Sequence, residues 1–94
     1  MRPALLLGKL PSKHEDWLIC MISSQLHQMV TDFDEMVVKE EADFIESGLK
    51  TNSVIRIGRI AVVQSDILVG AIGQISQERL LRIKRKWANW FEQN

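Results

Sequence analysis

The stretch "SVIRIGRIAVV" (53–63) constrains the fold more than any other part of the chain. Val54, Arg56, Gly58 and Ile60 alternate with Ile55, Ile57, Arg59 and Ala61, the period-two pattern of a β-strand. Neither face is purely polar. A regular strand sends Arg56 and Arg59 to opposite sides of the sheet. Gly58 lies between them and permits a bulge, which changes that count.

Partner strands are legible before and after it. "PALLLG" (3–8) is a short apolar run bounded by Pro3 and Gly8, which suits a buried strand. "KLPSKHED" (9–16) is polar, contains Pro11 and reads as a connecting loop. "WLICMIS" (17–23) is apolar on both faces, as a central strand would be. "FDEMVV" (33–38) predicts a third, more exposed strand. "KEEADFIESG" (39–48) predicts one or two helical turns capped by Gly48. "ILVGAIGQI" (67–75) is expected to form a further short strand.

Ser76 then has the position of a helix N-cap, with Glu78 in the first turn, where an acid complements the helix dipole. From 77 to 93 the period becomes helical. Leu80, Ile83, Trp87 and Trp90 or Phe91 form one apolar stripe. Arg79, Arg82, Lys84, Arg85 and Lys86 are assigned mainly to the solvated face. Several strands followed by one terminal amphipathic helix predict a single domain over 1–94. It is mainly β, a small barrel or curved sheet with a packed C-terminal α-helix.

Charge sharpens this picture. The formal net charge is zero, so the molecule as a whole has no general attraction to nucleic acid or membrane. Yet residues 31–47 carry seven acids against Lys39 alone, and residues 48–94 carry eight bases against three acids. A basic face and an acidic loop are expected. Hydrophobic residues at 46% and charged residues at 26% exclude a disordered chain. No stretch is apolar enough to span a bilayer, and no cleavage site follows the short apolar start, so the expected compartment is the cytoplasm. Cys20 is the only cysteine; it sits in an apolar run and reads as a packing residue in a reduced compartment.

Few residues carry the marks of chemistry. His14 and His27 are thirteen apart, without a second ligand at helical spacing, so no metal or other cofactor is expected. Both read as surface loop residues. Gly70 and Gly73 lack the following Lys-Ser/Thr pair of a phosphate loop. Two features remain: Arg2 at the mouth of the first strand, and Ser23-Ser24-Gln25 at the end of the second. If those strands are neighbours, a guanidinium and two hydroxyls converge at one sheet end. That pairing suits a phosphodiester, because arginine offers fixed, charged donors and serine a neutral one.

The motifs "RPALLL", "CMISSQ", "SVIRIGRI" and "GQISQERLLRI", in that order, resemble the PemK/MazF toxins of bacterial toxin–antitoxin operons. The last matches the family's helix-start signature at Gly73, Ile75, Ser76, Glu78 and Leu80. The resemblance covers essentially the whole chain. It implies an SH3-like barrel, usually dimeric, acting as a metal-independent endoribonuclease on single-stranded mRNA. The implied reaction is attack of a ribose 2′-OH on the adjacent phosphate, leaving a cyclic phosphate and a 5′-OH. By the same resemblance Arg2 and Ser23 are catalytic, and Ser24, Gln25 and Arg59 line the RNA groove. A cognate antitoxin is the implied partner; DNA binding by the toxin alone is not.

One departure bears on activity. Family members carry a strand and loop of the form Gly-Asp-x-Val-x-Val-x-Phe ahead of the Arg-Pro pair, and this sequence starts at "MRPALLL". The expectation is a translation start upstream of Met1. The alternative is an inactive remnant that binds an antitoxin or other protein without catalysis.

Overall fold

The computed structural model describes residues 2–94. Four strands, β1 (Ala4–Lys9), β2 (Asp16–Ser23), β3 (Glu35–Val37) and β4 (Ser53–Gln64), form one antiparallel sheet in the order β1-β2-β4-β3. A short helix α1 (Phe44–Ser47) and a long C-terminal helix α2 (Gln77–Gln93) complete the elements, with 3-10 turns at Leu26–Gln28 and Ser65–Ile67. The sheet curls into a half-barrel closed by α2, the mainly β architecture expected of an SH3-like barrel. No helix among the described residues is long and apolar enough to cross a membrane.

The central position of β2 follows from its composition. It pairs with β1 on one side and β4 on the other, and Cys20 in its middle is fully buried. Burial pushes the Cys20 thiol up to about 12, so it packs as a small apolar group. Around it lie Leu7, Ile22, Val37, Phe44, Ile55, Ile57 and Ile83. Ile83 comes from α2, so the helix stripe and the sheet share one core.

Two irregularities shape the sheet. β1 slips register between Leu6 and Gly8. The second is larger. Cys20 pairs with Ile60 but the next residue, Met21, pairs with Arg56, leaving Ile57, Gly58 and Arg59 without a β2 partner. The unpaired backbone of Ile57 is satisfied by side chains instead. Its N–H donates to Asp34 Oδ1 at 2.8 Å, and its carbonyl accepts from Trp87 Nε1 at 3.1 Å.

Three expectations need correction. β3 is shorter than predicted and not exposed: Glu35 and Val37 are both buried. Residues 67–75 form no strand beyond the 3-10 turn. They cross α1 at Gly73, where the Gln74 N–H bonds the Glu46 carbonyl at 2.8 Å, so this backbone pairs with a helix end and not with a sheet edge. Arg79 is also not solvated. It is only 4% exposed, with Arg82 and Lys86 turned toward its partner Glu35.

The predicted caps hold. Ser76 Oγ accepts from the Arg79 N–H at 3.1 Å, and Gly48 ends α1 at φ 74°. The outer end of α2 departs from the expected stripe. Trp87 is half-buried and packs edge-on against Phe33 at 5.4 Å, whereas Trp90 and Phe91 are exposed.

Candidate functional site

The antiparallel pairing of β1 with β2 matches Ala4 with Met21. Continued by two residues, that register sets Arg2 opposite Ser23. A cavity of about 370 Å³ opens at this end of the sheet. Its polar wall is Arg2, Ser23, Gln28, Arg56 and Arg59; Met21, Ile22 and Ile60 supply the apolar part.

The bulge in β4 explains how both Arg56 and Arg59 reach one cavity. Three apart on a regular strand, they would face opposite sides. The three residues without a β2 partner reset the alternation, and both now line the same wall. Gly58 sits at this point, 3.5 Å from the Phe33 ring when a Cβ is built on it. A side chain there would be in ordinary contact with Phe33.

A hydrogen-bonded chain orders the floor. Ser23 Oγ donates to Gln28 Oε1 at 3.0 Å and accepts from the Gln25 N–H at 3.0 Å. Arg56 Nη1 donates to the same Gln28 oxygen at 3.1 Å. Arg56 Nε lies 3.3 Å from Asp34 Oδ2 without hydrogen-bond alignment. Asp34 is buried and held by the N–H groups of Ile57 and Val30. Of the three guanidinium groups of the wall, it faces that of Arg56. The site therefore keeps an excess of positive charge in a concave, partly apolar setting, which favours an anion.

Of the residues singled out in the sequence, the cavity brings together Arg2, Ser23 and Arg59. Ser24 and Gln25 are exposed beside it and do not line it; Gln25 contributes its backbone N–H to Ser23. Gln28 and Arg56 are the wall residues that sequence reasoning passed over. Arg56 had a signal, the glycine two positions on that allows a bulge. Gln28 had none, because only the 3-10 turn carries it back under Ser23. No group of three or more His, Cys, Asp or Glu among the described residues has the geometry to hold a metal ion.

The sequence profile of the PemK-like, MazF-like toxins of type II toxin–antitoxin systems matches residues 1–91. The chain belongs to this family. A search of curated proteins finds no match. PemK-like membership covers the β half-barrel, the arginine-lined cavity and nearly all of α2, so the cavity belongs to the part of the chain that the family shares.

Proposed function

We propose that this PemK-like chain is an endoribonuclease toxin that cleaves single-stranded mRNA by 2′-OH transphosphorylation without a metal. The observation that carries the reading is the convergence of Arg2, Arg59 and Arg56 with the Ser23 hydroxyl on one cavity at the end of the sheet. In the reaction the ribose 2′ oxygen bonds to phosphorus and the P–O5′ bond breaks. The 2′ proton is lost and the departing 5′ oxygen gains one, so no water is consumed. Charge grows on the phosphate oxygens as the pentacovalent state forms, and prepositioned donors stabilise it more than they stabilise the substrate. Arg2 binds the scissile phosphate and takes part in proton transfer, Ser23 supports the pentacovalent state, and Arg59 holds the flanking backbone with Ser24 and Gln25 at the rim.

The reading carries with it a cognate antitoxin, a second copy of the chain and a cytoplasmic setting. Leu6, Met21, Ile60 and Val62 expose apolar surface on the strands, which supports a covering partner.

The test is incubation of the purified protein with a long RNA, with and without EDTA. Cleavage that survives EDTA and leaves cyclic phosphate and 5′-OH ends is expected. Arg2→Ala is expected to abolish it with an unchanged melting temperature, since Arg2 is exposed. Intact RNA, together with capture of a small acidic partner protein, would shift the function to binding without catalysis.

A further inference from the structure

One oxygen in the cavity has an unusual pair of donors. Gln28 Oε1 accepts from the Ser23 hydroxyl at 3.0 Å and from Arg56 Nη1 at 3.1 Å. A neutral hydroxyl and a guanidinium N–H converging on one oxygen is a donor set suited to a non-bridging phosphate oxygen. We propose that Gln28 Oε1 occupies a phosphate-oxygen subsite, filling it in the free protein and leaving it when a phosphodiester enters. This rests on the reading of the cavity as an RNA site.

The hydroxyl sets the first constraint. Ser23 has one proton, and that proton is directed at Gln28. Its oxygen meanwhile accepts the Gln25 N–H. Ser23 therefore donates to a phosphate only by giving up its bond to Gln28.

The anchoring of the three partners is unequal. Ser23 ends β2, paired with Val54. Arg56 lies in β4 with its Nε facing buried Asp34, which is fixed by two backbone N–H groups. Both donors stay in place when the amide leaves. Gln28 is exposed and belongs to a 3-10 turn of three residues, so its side chain turns without disturbing the sheet. An anionic oxygen makes charge-assisted bonds to the same donors, stronger than those of a neutral amide oxygen. The exchange thus favours a phosphate over a neutral ligand.

A displaced occupant and a supporting residue predict opposite signs on removal. Binding is read by fluorescence anisotropy with a mixed-sequence 2′-O-methyl RNA at fixed low salt; its nucleophile is blocked, so affinity is separated from cleavage. Gln28→Ala is expected to bind roughly three- to tenfold tighter than wild type, the worth of one or two released hydrogen bonds. Gln28→Glu places a carboxylate on the donors and is expected to bind about tenfold weaker or less. Adding Arg56→Gln to Gln28→Ala is expected to remove the gain. Circular dichroism and melting temperature confirm that each variant is folded. Affinity of Gln28→Ala equal to or below wild type overturns the proposal, as does absence of binding by every variant.

Cleavage of an all-ribose RNA, measured in parallel, separates the two readings. The predicted order of affinities without cleavage keeps the subsite and removes the endoribonuclease assignment. Cleavage with the reversed order keeps the assignment and removes the subsite.

Discussion

A guanidinium has five N–H donors, and Arg79 places all of them inside the protein. Nε and Nη2 meet the two oxygens of Asp43 at 2.8 and 3.1 Å, and Nη2 also donates to Glu41. Nη1 serves Glu35 Oε1 at 3.0 Å and the Met36 carbonyl at 2.9 Å. Burial opposes this cation, yet the bonds to Asp43 and Glu41 raise its pKa above the ordinary arginine value. Removing it strands buried Asp43 without a counter-charge and takes one of three cations from buried Glu35. Arg79→Ala is therefore expected to cost about 3–5 kcal/mol, read by urea unfolding, with Arg79→Lys in between because an ammonium has three donors. Arg2, Arg56 and Arg59 share the residue type but face a cavity. The sequence distinguished these uses only in part: Arg2 stood out beside the Ser23 strand end, whereas Arg79 looked like any basic residue on an amphipathic helix. Its acidic partners lie more than thirty residues away, and only the fold brings them together.

At the scale of elements, α1 and the segment before α2 are fitted to each other through two glycines. Gly48 ends α1 in the left-handed region, where a Cβ is strained, and that Cβ would also stand 2.0 Å from the Ile72 carbonyl oxygen. Gly73 faces the Glu46 carbonyl oxygen, which a Cβ would approach to 2.2 Å. Gly48→Ala is expected to lower stability by about 2 kcal/mol or more, since it meets both conditions, and thermal unfolding measures it. The cap at Gly48 was legible because a glycine after a short helical run has a local meaning. The role of Gly73 was not. Its apolar neighbours imitate a strand, and the close approach that excludes a side chain comes from a helix end elsewhere in the chain. The Ser76 cap and the β4 pattern were legible for the same local reason, whereas the β4 bulge depends on Asp34 and Trp87 satisfying Ile57 from a distance.

For the whole molecule, a net charge of zero conceals an internal pairing of the acidic 31–47 segment with α2. Glu35 meets Arg82 through two bonds of 2.7 and 2.8 Å, Arg79 at 3.0 Å and Lys86 at 3.5 Å. Burial pushes the Glu35 carboxyl up, but the Arg82 bond and the three cations together hold it below its usual value. The Arg79 bond is the main cause that takes Asp43 from 3.8 to about 2. A carboxyl with a depressed folded pKa binds fewer protons folded than unfolded. Its contribution is full above the unfolded value and disappears as pH falls through the folded one. The half-barrel is thus expected to lose helix anchorage between about pH 4 and pH 2, with Asp43 accounting for about 2 kcal/mol. Urea unfolding as a function of pH measures the loss. Trp87 fluorescence follows the docking of α2, because Trp87 bonds Ile57 across the contact. Asp43→Asn is expected to lower stability at neutral pH and to flatten the acid limb, since the uncharged amide has no proton to take up. Stability that stays level from pH 5 to pH 2 in the unaltered protein would mean that α2 is held by its apolar stripe alone.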